Sequence, residues 1–512
     1  MCGIAGCIGI DDTCTIELML DAMPHRGPDD RGIHTYGQFV FGHTRLSIVD
    51  VIKGHQPILA DNGKSGIICN GEIYNYRAIR QQLASKYSFS THSDSEVILN
   101  LYHEKGPDCV CDLDGMFAFA LYQEDTFMLA RDPIGIKPLY YGYKDGHLYF
   151  SSELGAMSLA GVPEVHEFPC GHYYTPESKF VRYYTIPPAR DYHFTDVDHA
   201  AGLIRSTLKQ AVKKRLLADK QIHVGAFCSG GLDSSLIAAF AAREIPHLHT
   251  FAVGMCDASG KESDDLIAAR LAAEHIGSNH HEYLITEDDY YDALPRVIQK
   301  LETYDPSLVR CAVPCYFTCK LAADYVTVVL TGEGADEIFA GYHYLKRFAR
   351  DQINTEVRRL IAGVHNINLQ RADRMGMLFS LELRVPFFDT DMIELGMKIS
   401  PSLKIREEGG QKIEKWILRK AFEGTGYLPD EILWRYKLQY TQGAGCEKLG
   451  ARLAENEISE DDFDRIKAQN PNAVINSKEA VYYYQIFRKH HPQDSVLNSI
   501  GIWTGFDFAE ER

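Results

Sequence analysis

Apolar and polar residues follow two different periods along this chain, and the period changes between residues 185 and 200. Before that stretch, short β-like runs such as FAFALY and TFMLA are separated by turn clusters such as DNGKSG and RDPIG, the punctuation of a sheet-dominated unit. After it, AAGLIRSTLKQAVKKRLLAD repeats its apolar residues at helical spacing. There, buried-looking runs such as HVGAFC and VTVVL alternate with helical segments, which predicts a parallel sheet flanked by helices. The stretch TIPPARDYHFTDVDHA, Thr185 to Ala200, joins paired prolines to polar residues without periodicity, as a linker does. The expected division is a first domain over residues 2–184, a linker over 185–200 and a second domain over 201–512. After about Gly450 the pattern is mostly helical and suggests no chemistry.

Length supports that division, because 512 residues exceed what one core usually serves. The 45% hydrophobic and 24% charged content is that of an ordinary globular protein, and no apolar run reaches spanning length. No membrane is therefore expected. The opening MCGIAGCIGI is short, lacks a cationic leader and meets Asp11 and Asp12 at once, which argues against a secretory signal and for a cytoplasmic location. A net charge of −17 speaks against a nonspecific grip on nucleic acid, leaving small molecules as the expected partners. Thirteen cysteines without paired CxxC spacing suggest neither a disulfide framework nor a zinc site. Cys311, Cys315 and Cys319 recur at helical spacing and read as small buried hydrophobes.

Cys2 directly follows the initiator methionine. Removal of that methionine would leave a thiol beside a free α-amine, whose reference pKa of about 7.7–8.0 suits it to act as base toward the thiol. A glutamine amide would further need a cation for its α-carboxylate, an anion for its α-amine and donors for its oxyanion. Arg45 in HTRLSIVD, Asp94 in HSDSEV, and Asn70 with Gly71 in NGEIYN offer these in turn, and Glu72 is a second anion for the amine. Each has an ordinary reading alone: a solvated arginine, a helix-capping aspartate, an Asn-Gly turn.

The motifs MCGIAG, HRGPDD, RLSIVD, NGEIYNY, SDSEV, GMFAFALY and RDPIGIKPLYY occur in that order and together resemble the glutaminase domain of asparagine synthetases over most of the first half. The resemblance implies an α+β N-terminal-nucleophile hydrolase sandwich with α–β–β–α layers. It implies the roles just given, with Leu46, Ser47, Ile48 and Val49 joining Arg45 at the glutamine. His25 and Arg26 match the family's HRGPD loop and are expected to close over the site without doing chemistry.

In the second half, HVGAFC runs into SGGLDSS, Ser229 to Ser235, and then into helical LIAAFAA. Such glycines permit a tight loop whose N–H groups face an anion at a helix start. With Asp233 inside it, this strand, loop and helix resemble the pyrophosphate loop of ATP pyrophosphatases, implying an α/β parallel-sheet domain that takes ATP. Ser229, Gly230, Gly231, Asp233, Ser234 and Ser235 are then nucleotide contacts, and Cys228, Val253, Thr331 and Gly332 match further ones. Asp336 in TGEGADE follows the VTVVL run. With Asp233 it matches positions that hold Mg2+ against pyrophosphate, and oxygen ligands suit that hard cation. Lys437 in WRYKLQY is expected to neutralise the leaving pyrophosphate, and Glu333 to serve the adenylate and the incoming amine. In LETYDPSLVRCAVP, Ser307 and Arg310 resemble the segment that approaches aspartate, where an arginine grips a carboxylate bidentately.

The implied activity turns aspartate, ATP and glutamine into asparagine, AMP, pyrophosphate and glutamate through a β-aspartyl-AMP, with ammonia crossing a dry passage between domains. A homodimer is left open. The alternatives are an amidotransferase for another acid, opposed by ETYD and Arg310, and a non-catalytic glutamine- or nucleotide-responsive protein, opposed by the intact set of reactive residues. A third, RNA modification, conflicts with the acidic charge.

Overall fold

A computed structural model describes residues 2–257 and 259–503 of the chain. Its first part holds strands β1 (Gly3–Ile8), β2 (Asp30–Tyr36), β3 (Phe39–Arg45), β4 (Ile58–Leu59), β5 (Ser65–Ile73), β6 (Gly115–Gln123), β7 (Thr126–Arg131), β8 (Tyr140–Lys144), β9 (His147–Ser151), β10 (Val165–Glu167), β11 (His172–Thr175) and β12 (Lys179–Arg182). They form two six-stranded sheets, ordered β10-β8-β9-β1-β3-β2 and β12-β11-β7-β6-β5-β4, with antiparallel pairing such as β5 against β6. Period-two alternation decides which side chain meets which layer. In β6, Ala118, Ala120 and Tyr122 point into the core between the sheets with Ile4, Phe41 and Phe150. Phe117, Phe119 and Leu121 point the other way, into a core shared with Val97, Ile98 and Leu101 of the helix Glu96–Lys105. The helix Thr13–Asp21 covers the outer face of the first sheet against β1 and β3. The result is the expected α–β–β–α layering.

The second part is built on β13 (Val224–Phe227), β14 (His249–Gly254), β15 (Asn279–Leu284), β16 (Val328–Leu330) and β17 (Glu382–Arg384). They lie in the order β15-β14-β13-β16-β17, all parallel. Because the chain leaves β13 toward β14 on one side while β16 lies on the other, the loops after β13 and β16 part at a crevice, where open α/β sheets place ligands.

Two details differ from the sequence reading. The helix expected to begin after the linker starts at Val197, because the Asp196 side chain caps it by accepting from the His199 N–H at 2.8 Å. The last four linker residues are therefore helical, and Phe194 bridges to Ile399. Of the three cysteines at helical spacing, Cys315 and Cys319 are buried in the helix Pro306–Ala323, whereas Cys311 is only half-buried, and Cys311 and Cys315 both border a cavity. Among the described residues no cluster of three or more potential metal ligands exists.

One core position carries a visible cost. Lys404 is wholly buried where the short helix Pro401–Lys404 packs on the helices Arg350–Gly363 and Trp416–Phe422, and its Nζ has no hydrogen-bond partner among the described residues. Burial pulls its pKa down to about 7. The unfolded chain, with a lysine pKa of about 10.4, binds the extra proton over the interval above 7, so stability rises with pH from there toward about 10. Below about 7 both states are protonated and the folded state bears the full penalty. Lys404→Met should raise the thermal midpoint, and by more at pH 7 than at pH 9. An equal or smaller gain at pH 7 would show that Lys404 is not neutral in the fold.

Candidate functional site

Cys2 precedes β1 and is 7% exposed. Its N–H donates to Asn70 Oδ1 at 3.1 Å, and its thiol approaches the Leu46 carbonyl at 3.9 Å. Burial pushes the thiol above its ordinary value, with the Leu46 contact opposing, so ionisation requires a base at hand. The amide Nδ2 of Asn70 is buried and donates to nothing among the described residues. Idle buried donors are rare, and one beside a thiol fits a developing oxyanion. At the neighbouring Gly71 a Cβ would lie 2.1 Å from the Met116 carbonyl oxygen, so only glycine lets β5 run here.

Across from these, Asp94 accepts from the Ile73 N–H at 2.7 Å, and burial raises its carboxyl to about 6. Glu72 is raised well above the usual range by burial, then by Asp94 and Glu382. Its Oε2 has no hydrogen bond among the described residues, and Arg384 Nη2 stands 3.7 Å away. Two buried carboxylates so poorly compensated favour an added cation. Three main-chain carbonyls hold the Arg45 guanidinium, those of Val49 at 3.2 Å, Asp50 at 2.7 Å and Val51 at 3.3 Å. Arg45 thereby shapes the loop that carries Leu46, Ser47, Ile48 and Val49, where the Ser47 N–H is fixed by Asp29 at 2.7 Å.

The expectation for Arg26 is corrected. It does not cover the site: it is fully buried beneath it, its Nε donating to the Cys2 carbonyl at 3.0 Å. A buried guanidinium needs carboxylates, and Asp373 of the second domain supplies a bidentate pair at 2.8 and 3.1 Å, with Glu153 at 3.3 Å. His25 also meets Glu153, at 2.8 Å. Asp373 lies on the helix Asn368–Met377, which presents Arg371 to Glu333 and Arg374 to Glu302.

The crevice of the parallel sheet opens into a cavity of about 1160 Å³. Ser229, Gly231, Asp233 and Ser234 line it from the loop after β13, and Thr331, Gly332, Glu333 and Asp336 from the loop after β16. Val253, Ser307, Arg310 and Lys437 face the same space. Cys228, Gly230 and Ser235 stand behind the wall. Gly230 has φ +72°, and a Cβ there would strike the main chain of Ala268 at 2.4 Å, so glycine alone forms this turn. Gly231 caps the helix Leu232–Ala242 without any side-chain hydrogen bond, leaving that N-terminus free for an anion.

Asp233 and Asp336 face each other across Lys415, whose Nζ pairs with Asp233 and sits 2.6 Å from Asp336 Oδ1. Lys437 Nζ meets Asp336 Oδ2 at 2.8 Å. Against the burial that would raise it, Lys415 and Lys437 hold the Asp336 carboxyl well below the carboxylate range. Asp233 is pushed upward by burial despite Lys415. Its Oδ1 is buried and accepts no hydrogen bond among the described residues, and such an oxygen beside a second carboxylate fits a hard cation. Lys415 was missed in the sequence, where it is one lysine of several in QKIEKWILRK. Its closeness to Gly341, where a Cβ would lie 2.1 Å from Lys415 Cε, is visible only in the fold. Arg371 gave no sequence signal either.

Comparison with known proteins follows the same division. A glutamine amidotransferase domain model matches residues 1–185, and an asparagine synthase model matches residues 203–356 and 347–496. A probable glutamine-hydrolysing asparagine synthetase of Schizosaccharomyces pombe is 40% identical over 92% of this chain and 90% of its own length. Its counterpart in Dictyostelium discoideum is 37% identical over 94% and 91%. The glutamine-hydrolysing asparagine synthetase B of Escherichia coli is 37% identical over 98% and 93%.

Proposed function

Because this chain belongs to the glutamine-hydrolysing asparagine synthetases, we propose that Cys2 frees ammonia from glutamine and that the second half uses ATP to attach it to aspartate. The Cys2 thiol attacks the side-chain amide carbon, its proton passing to the α-amine that removal of Met1 exposes. Met1 itself lies outside the described residues. Asn70 Nδ2 and the Gly71 N–H take the oxyanion, Asp94 and Glu72 take the α-ammonium, and Arg45 with residues 46–49 takes the α-carboxylate. Ammonia leaves, and water releases glutamate from the thioester.

In the second half the helix start at Gly231, with Ser229, Ser234 and Ser235, cradles the pyrophosphate portion of ATP. Cys228, Gly230, Val253, Thr331 and Gly332 shape the nucleotide pocket. Asp233 and Asp336 are the residues that would hold Mg2+, which supplies neutralising charge at the phosphates. Lys437 and Lys415 stabilise the departing pyrophosphate as the aspartate β-carboxylate bonds to the α-phosphorus. Ser307 and Arg310 hold the acceptor acid, and Glu333, oriented by Arg371, receives a proton from the ammonia that attacks the acyl carbon of the adenylate as its bond to AMP breaks and AMP leaves. A cytoplasmic location and a homodimer belong to the same reading. Among the described residues no helix is long and apolar enough to cross a membrane.

What supports this reading most is the single cavity in which a free helix N-terminus, two facing aspartates and Lys437 meet. The test is pyrophosphate release from ATP across a panel of carboxylic acids with ammonium present. Aspartate should give the strongest response. Silence toward aspartate beside a strong response to another acid would transfer the activity to that acid.

A further inference from the structure

We propose that Glu479, in the first turn of the helix Lys478–His490, is a positioning residue for Arg310, so that this C-terminal helix forms part of the acceptor-acid site. The inference rests on the reading above that Arg310 faces the acceptor's α-carboxylate.

Arg310 donates through Nε to Glu479 Oε1 at 2.9 Å and Oε2 at 3.1 Å, and its Nη2 also pairs with Oε2. Its Nη1 makes no hydrogen bond among the described residues, and the side chain is 32% exposed on the cavity wall. Glu479 is 2% exposed and lies behind that wall. One edge of the guanidinium is therefore pinned from within while its Nη1 end is left toward the cavity, beside Ser307 one turn earlier on the same helix.

Glu479 is itself held. The Tyr483 hydroxyl donates to its Oε1 at 2.8 Å. It sits in the first turn, at the end of the helix where an acidic side chain is well placed. At Gly450, on the packed helix Leu449–Glu457, a Cβ would lie 2.5 Å from Glu479 Oε1 and 2.0 Å from the Tyr483 hydroxyl, so glycine there leaves room for the pair.

The chemistry explains why an arginine in this cavity needs a buried partner. ATP's phosphates share the cavity with the acceptor, and a guanidinium on a flexible stem would turn toward them. Glu479 anchors it on the acceptor side. The anchor also makes the wall an electrically neutral pair, which suits the zwitterionic α-ammonium and α-carboxylate of an amino acid better than a simple dicarboxylate.

The experiment is ammonium-dependent asparagine formation by the full chain, with aspartate varied at saturating ATP. Glu479→Gln should raise the aspartate KM by about ten- to a hundredfold, the loss expected for hydrogen bonds to a charged group. The ATP KM and glutaminase activity should stay at wild-type values, and Glu479→Asp should recover part of the loss. If Arg310→Lys raises the aspartate KM while Glu479→Gln does not, the positioning role falls and the acceptor reading stands. If neither variant moves it, Arg310 does not face the acceptor and both fall. A uniform drop in kcat with unchanged KM values would mark Glu479 as structural only and also overturn the proposal. Should Glu479→Gln not fold, Tyr483→Phe, which removes one bond and no charge, must raise the aspartate KM by a smaller factor; an unmoved KM rejects the role.

Discussion

Cys2→Ala should lower glutamine-dependent asparagine formation by about a thousandfold or more, while formation from added ammonium stays near the wild-type rate. The size follows from the environment of the thiol. Cys2 is buried against the Leu46 carbonyl and its pKa is raised, so in the proposed reading its thiol depends on the neighbouring α-amine as base, and alanine offers nothing to attack the amide. The selectivity follows from how the residue is held. Arg26 grips the Cys2 carbonyl and Asn70 accepts from its N–H. Both are main-chain contacts that alanine keeps, so the link to the second domain survives. Asparagine measured with glutamine and then with ammonium chloride separates the two activities. Turnover that persists with glutamine would place the nucleophile elsewhere.

Lys437→Ala should slow adenylation by about a hundred- to a thousandfold, the usual effect of removing a group that meets transition-state charge. Glutaminase activity should remain measurable. Lys437 is 17% exposed and contacts Asp336, but Asp336 is also paired with the deeply buried Lys415. Truncating Lys437 therefore leaves no carboxylate buried alone, and the fold should hold. Aspartate-dependent exchange of pyrophosphate into ATP reads the step directly. Loss of both activities in a folded variant would show that the halves do not divide the labour in this way.

Much of this was legible in the chain because the signals are local. Alternation in GMFAFALY shows both faces of β6, and the turn in SGGLDSS lies between a strand and a helix that periodicity alone predicts. The start of the helix at Val197 was also legible, since Asp196 is a good cap, although paired prolines precede it. What was hidden is tertiary. Arg26 and Asp373 are 347 residues apart, and Arg310 and Glu479 are 169 apart. No period in a sequence reports which charges will be buried against each other. Arg26 could be assigned to a covering loop only while its partner was unknown, and the last helix was unremarkable only while Arg310 had no anchor.

The Arg26–Asp373 pair bears on how far the two halves can be treated as interchangeable parts. A first half severed after the linker would retain an arginine that has lost its bidentate partner, hydrogen-bonded to the main chain of Cys2. A chimera that grafts another amidotransferase's front half onto this synthetase would have to bring an arginine to meet Asp373, or remove both charges together. The seam between the domains is thus keyed, and the key passes beneath Cys2.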